Sequence, residues 1–258
     1  MTFFTVQQWL KYFHLKTDEH SLHSPFFYDF YKTLVSEPSI PLDDEAIETV
    51  RKAFLQQRNK IDIQDLGAGS QRSKKQARSI ASVASYSSSS RKFSSFLYRL
   101  IEKYQFNNIL ELGTSLGINT AYLEKTAASQ ITSFEGDPAV FEIAKAHLLP
   151  STKLTLILGN IDQLLPAHLK QLNRPLDLVY IDANHTYEAT LNYFNLLLPH
   201  HHQSSIFILD DIHWSKGMNK AWEEIKGHPQ VCASIDLFDA GLLFFNPTLN
   251  SQHLVLDF

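Results

Sequence analysis

The chain has 258 residues, 44% of them apolar, which allows a full core and one large α/β domain with an appendage. Its formal net charge of −4 excludes a global field for nucleic acid. Cys232 is the single cysteine, which excludes an intramolecular disulfide; no apolar run is bilayer-long and no signal-peptide pattern appears, so a cytoplasmic chain without a membrane partner is expected.

Thr5–Leu15 is expected to form a short amphipathic helix carrying Trp9, Leu10 and Phe13. Ser24 and Pro25 read as the start of a second, aromatic helix with Phe26, Phe27, Phe30, Tyr31 and Leu34 on a wide face. That face either packs on the main domain or serves as a substrate lid with His20 and His23 near the site. Asp43–Gln57 reads as a further helix. Ile61–Ser70 ends in a Gly-rich loop, Asp65–Ser70, followed by a stretch to Lys103 whose charged residues are basic except for Glu102. With no second strand ending in an acid at the right distance, that loop is either a turn beside a ligand site or plain structure. Tyr86–Ser90 reads as a flexible connector, and Phe93–Lys103 as a helix. The expected division is a helical extension over 1–90 and a ligand-binding α/β domain over 91–258.

The next segment organises the rest. Asn108–Leu112 is a short apolar run that reads as a buried strand, broken at Gly113. Thr114, Ser115 and Gly117 form a turn, a helix starts at Ile118, and a second strand, Ile131–Phe134, ends at Glu135. Strand, glycine turn, helix, strand, acid is half of a nucleotide-binding α/β unit, in which the acid meets a ribose diol. Ser115 stands where a dinucleotide fingerprint needs glycine, and Glu111 beside the turn suits a cationic ligand better than a pyrophosphate. The alternation continues through Lys153–Leu158, Leu176–Ile181 and Ser205–Leu209 as strands, separated by helices. Ala233–Phe238 and Leu242–Phe245 are too close for a crossover helix and read as an antiparallel hairpin. His253–Phe258 can add an edge strand. His200, His201 and His202 read as a solvated loop, and Cys232 as a core residue.

Acids stand at the strand ends: Glu111, Glu135, Asp182, Asp210 and Asp211. Asp182, Asp210 and Asp211 can converge on a hard divalent cation; without one they would raise each other's pKa. Each could instead cap a following helix.

The ELGTSLG run with EGD resembles motif I and its acidic partner in class I S-adenosylmethionine (SAM)-dependent methyltransferases. The resemblance runs from about Phe93 to Phe258 and implies their Rossmann-like, seven-stranded α/β sheet with a terminal antiparallel hairpin. It implies that SAM lies against Glu111, Gly113, Thr114, Ser115 and Gly117, with Glu135, Gly136, Gly159, Asn160, Ile161 and Asp182 at the neighbouring strand ends. Asp182-Ala-Asn-His185 and Asp210-Asp211-Ile-His213-Trp214 resemble the metal-dependent O-methyltransferases, of catechol or macrocin sugar type. That implies Mg²⁺ on Asp182, Asp210 and Asp211, with His185 and Asp182 catalytic. His213 and Trp214 are then candidates for the acceptor, a hydroxylated small molecule. Competing readings are a metal-independent transferase acting on nitrogen or on a macromolecule, and a nucleotide-binding module without turnover. A homodimer is left open.

Overall fold

A computed structural model describes residues 2–64, 75–249 and 251–258; the Asp65–Ser70 loop, Arg72 and Lys74 lie outside the described residues. Most of the helices start where a short polar side chain takes a free amide of the first turn. α1 (Phe3–Leu15) is capped by Thr2, whose hydroxyl accepts the Thr5 amide. α2 (Pro25–Tyr31) begins on its proline and runs on into a π turn, Lys32–Ser36. α3 (Glu45–Gln56) is followed by an antiparallel pair, β1 (Lys60–Gln64) and β2 (Lys75–Ser79). α4 (Ile80–Ser87) and α5 (Arg91–Tyr104) are capped by Ser79 and Ser90.

From there strand and helix alternate. The order is β3 (Asn108–Leu112), α6 (Ile118–Glu124), β4 (Gln130–Glu135), α7 (Pro138–His147), β5 (Leu154–Leu158), α8 (Ile161–Leu169), β6 (Leu178–Ile181), α9 (Tyr187–Leu197), β7 (Ile206–Asp210) and α10 (Lys216–Lys226). β8 (Ala233–Asp236), β9 (Ala240–Phe244) and β10 (Gln252–Val255) complete the set. The main sheet has eight strands in the order β10-β8-β9-β7-β6-β3-β4-β5. The expected seven gain β10, an edge strand at Gln252–Val255 rather than His253–Phe258.

The chain divides into two compact units. In Ile40–Gln171, β3, β4 and β5 run parallel, with Leu112 level with Phe134 and Glu135 level with Leu158. β3 is buried at every position, the pattern of a strand covered on both faces. A buried polar cluster fixes α3: the Tyr122 hydroxyl lies 2.7 Å from Asp44 and 2.8 Å from Glu48, and Arg51 donates to Glu48 at 2.9 Å. Arg91 grips Asp44 with two hydrogen bonds and pulls its carboxyl down to about 2. The expected connector Tyr86–Ser90 is tied down instead. Ser87 Oγ lies 2.6 Å from Ser115 Oγ, and the Asn119 amide donates to Ser89 Oγ at 2.8 Å. Serines that read as a flexible connector in sequence have polar partners at the start of α6.

In the other unit, Met1–Ser39 with Leu172–Phe258, β6 and β7 are parallel, β9 is antiparallel to β7 and β8, and β10 is parallel to β8. The expected hairpin is β8–β9. α2 packs on it: Phe26, Phe27 and Phe30 each meet the Phe244 ring edge-on at 5.3–5.8 Å. α1 is pinned by Tyr12, whose hydroxyl donates to the Leu256 carbonyl at 2.6 Å and accepts the Phe258 amide at 3.1 Å. The pair His202–Asp177, at 2.8 Å, and the ring contact of His201 with Phe245 hold the expected solvated loop in place. Cys232, expected in the core, is half-buried just before β8.

β9 can lie under Trp222 of α10 because position 241 is glycine. A Cβ there would fall 2.5–2.8 Å from three carbons of that buried indole. Gly241→Ala is therefore expected to cost about 1–3 kcal/mol by overpacking. Denaturant unfolding measures it, and an unchanged midpoint would show that the ring has room to move.

Candidate active site

The glycine turn is built by backbone bonds at the tip of β4. The Gly113 and Thr114 amides both donate to the Phe134 carbonyl at 2.9 Å. Gly113 and Gly117 have φ of 104° and 75°, which suit glycine, and Ser115 sits at 48°. At Gly117 space is also short, since a Cβ would stand 3.1 Å from both His147 Nε2 and Leu148 Cδ1.

Glu135 holds this turn together. Its Oε2 accepts the Ser115 amide at 2.7 Å, its Oε1 accepts the Asp137 amide at 2.8 Å, and its carbonyl accepts the Gly159 amide at 2.8 Å. Burial pushes the carboxyl up, the amides pull it down, and the balance lies above its ordinary value. Gly136 follows directly. Gly159, with φ of 140°, ends β5, Asn160 caps α8, and Ile161 begins it.

Glu111 is fully buried in β3, where Oε2 accepts Ser133 at 2.5 Å and Thr120 at 2.6 Å. Ser133 spends its proton there, so the Thr114 hydroxyl, 2.5 Å away, is the donor to Ser133. Ser133, in β4, and Thr120, in α6, were missed in sequence. These residues fit SAM: the turn is shaped by glycine, and the Glu135 oxygens each retain acceptor capacity for a ribose diol.

The other unit carries a separate acidic cluster. Asp182 follows β6, Asp210 ends β7, and Asp211 follows it with φ of 54°. The Tyr180 hydroxyl lies 2.9 Å from Asp210 Oδ2 and 3.2 Å from Asp182 Oδ2. Period-two alternation puts Tyr180 and Asp182 on one face, so Tyr180 was readable in sequence and overlooked. His185 Nε2 lies 3.2 Å from Asp182 Oδ1 and 3.5 Å from Asp211 Oδ2, an ion-pair contact rather than an aligned hydrogen bond. Burial pulls the His185 pKa down, but Asp182 and then Asp211 outweigh it, leaving it above its usual value. Burial, with Asp182 and Asp211 adding, pushes Asp210 well up. Asp211 is raised to about 6, by burial first and with His185 opposing.

The expected Mg²⁺ does not fit this arrangement. The oxygens of Asp182 and Asp211 face the His185 nitrogen between them, and the other Asp182 oxygen shares the Tyr180 hydroxyl with Asp210. Among the described residues, no group of three or more His, Cys, Asp or Glu side chains is placed to hold a metal ion.

His213 is buried, with Nε2 2.8 Å from Asp236 and Nδ1 3.1 Å from the Asn219 amide nitrogen. Both ring nitrogens are thus engaged within the protein, against its expected place on the acceptor. Trp214 is 60% exposed, and its amide donates to the Asp211 carbonyl at 2.9 Å.

Residues 110–212 match a family model of a methyltransferase domain. The fold is the Rossmann-like α/β fold of a methyltransferase domain. Among solved structures, the O-methyltransferase TomG of Streptomyces achromogenes, in complex with SAM, is 19% identical; the match covers 62% of this chain and 82% of that one, with a TM-score of 0.55. An O-methyltransferase of Bacillus cereus in complex with SAH (S-adenosylhomocysteine) is also 19% identical, over 83% of this chain and 94% of that one, with a TM-score of 0.57. A putative O-methyltransferase of Klebsiella pneumoniae is 18% identical, over 84% and 96%, with a TM-score of 0.56. No curated protein matches the chain.

The Glu135 bonds give a direct test. Glu135→Gln turns an amide N–H toward a backbone N–H, so one acceptor is lost and two donors oppose. The variant is expected to lose about 1–3 kcal/mol of stability in urea. Stability equal to the parent would show that the turn stands without this carboxylate.

Proposed function

We propose that this chain transfers a methyl group from SAM to a hydroxyl of a small molecule. The observation that carries the reading is the Glu135-tied glycine turn, inside the segment that matches a methyltransferase domain. The O-methyltransferases of like fold, crystallised with SAM or SAH, add support for an oxygen acceptor. The backbone of Gly113–Gly117 and the carboxylate of Glu135 hold the cofactor, with Gly136, Gly159, Asn160 and Ile161 lining the neighbouring strand ends. When bound, SAM supplies a methyl group on a positively charged sulfur, ready for in-line displacement. The demand on the protein is then chiefly positioning, plus removal of one proton from the attacking oxygen.

His185 is the base in this reading. Its Nε2 faces Asp182 and Asp211, so the carboxylates orient the ring and Nδ1 takes the proton. Asp182 stabilises the imidazolium that results. Trp214 offers its exposed ring to the apolar part of the acceptor. No step in this scheme is assigned to a divalent ion.

Four outcomes are expected once an acceptor is found in a panel of diols and phenols. His185→Ala lowers kcat by about 10²–10⁴-fold while SAH affinity is kept. The pH profile of kcat/KM follows from the sign of the His185 shift. The base works only when neutral, and its pKa is raised, so activity rises with pH through an inflection above about 6.5. Asp182→Asn moves that inflection down; a profile flat from pH 5 to about 9 would contradict the assignment. Trp214→Ala raises KM with little change in kcat, whereas an unchanged KM would remove Trp214 from the acceptor site.

A further inference from the structure

Half of the large apolar side chains exposed among the described residues fall in α1: Phe3, Val6, Trp9, Leu10, Phe13 and Leu15. The helix is divided into sectors. At about 100° per residue, Trp9, Phe13, Val6, Leu10 and Phe3 follow one another around an arc of roughly 120°. All five are exposed, with Phe3 at 79% and Leu10 and Phe13 at 56%. His14, Gln7 and Lys11, also exposed, form a polar and basic flank directly beside that arc. The sector of Tyr12 faces the protein, where its hydroxyl is bonded to Leu256 and Phe258. Lys16, bonded to Asp257 at 2.7 Å, fixes the other end of the helix. Rotation that would bury the apolar arc against the body is therefore blocked.

A contiguous exposed apolar face of this kind marks an interaction surface. We infer that α1 is an interfacial helix that lays its Phe3–Phe13 face into the surface of an anionic lipid bilayer. Two observations choose this occupant. The face combines tryptophan, phenylalanine and leucine beside a basic flank, the composition of a helix lying in the headgroup plane. From Thr2 to Thr17 there are three basic side chains (Lys11, His14, Lys16) and no acidic one. A second copy of this helix would bring the same basic flank and no acid of its own, whereas anionic headgroups complement it. No helix among the described residues is long and apolar enough to cross a membrane, so the contact is with the surface.

Co-flotation of the full chain with vesicles tests this, using phosphatidylcholine alone and phosphatidylcholine mixed with phosphatidylglycerol. The chain is expected to float with the mixed vesicles, and less in high salt. Leu10→Glu with Phe13→Glu is expected to reduce the bound fraction at least tenfold, and Lys11→Glu to reduce it more weakly. All these positions are exposed, and an unchanged thermal transition confirms that each variant is folded. Failure to float with either vesicle overturns the inference, as does equal binding to both. A dimer in light scattering that the double variant dissolves, without vesicle binding, assigns the face to a second copy and overturns it too.

Discussion

One carboxylate governs the carboxyl end of the parallel strands in the Ile40–Gln171 unit. Glu135 accepts amides from Ser115 and Asp137 on its side chain and from Gly159 on its carbonyl. A single residue thereby joins the tips of three neighbouring strands. Hydrogen bonds to a carboxylate are roughly twice as strong as neutral ones, and two of these three are of that kind. Without them, Ser115 would have no evident reason to adopt a left-handed φ of 48°, a conformation that serine rarely takes. The Thr114–Ser133–Glu111–Thr120 chain of hydroxyls and carboxylate supports the same turn through the core. An acid suited to a ribose diol is thus also the element that shapes the glycine turn.

The aspartate cluster poses a different electrostatic problem. Burial raises Asp210 and Asp211, and the nearby Asp182 carboxylate adds to both. The protein answers with side chains of its own. Tyr180 supplies a proton donor to two of the acids, and His185 supplies an imidazole between Asp182 and Asp211. The same carboxylates then raise the histidine, so its basicity and theirs are linked.

Much of the fold was legible because the strands between Asn108 and Leu209 are continuous apolar runs broken by glycine or acid. Their helices are capped by Asp137, Asn160, Thr186 and Ser215, side chains whose capping chemistry is local. The hairpin β8–β9 was legible from the short gap at Asp239–Gly241. What was not legible depended on distant partners. The pairing of β1 with β2, the latch of Ser87 and Ser89 onto Ser115 and Asn119, and the parallel docking of β10 beside β8 have no local signature. Candidate site residues were found by type, but their roles turned on orientation. His213 reads as an acceptor-site residue in sequence, yet its ring is held by Asp236, twenty-three residues away along the chain. Mg²⁺ was inferred from three acids; Tyr180, which donates to two of them, was not weighed, and His185 was read as a base without its place between Asp182 and Asp211.

The central claim is that the Glu135-tied turn binds SAM and that this binding needs no metal. Calorimetric titration of S-adenosylhomocysteine into the full chain, in excess chelator and again with Mg²⁺, tests it most directly. One-site binding of about micromolar affinity, equal in both conditions and weakened at least tenfold in Glu135→Ala, is the predicted result. No binding in either condition, or binding that appears only with Mg²⁺, would contradict the account.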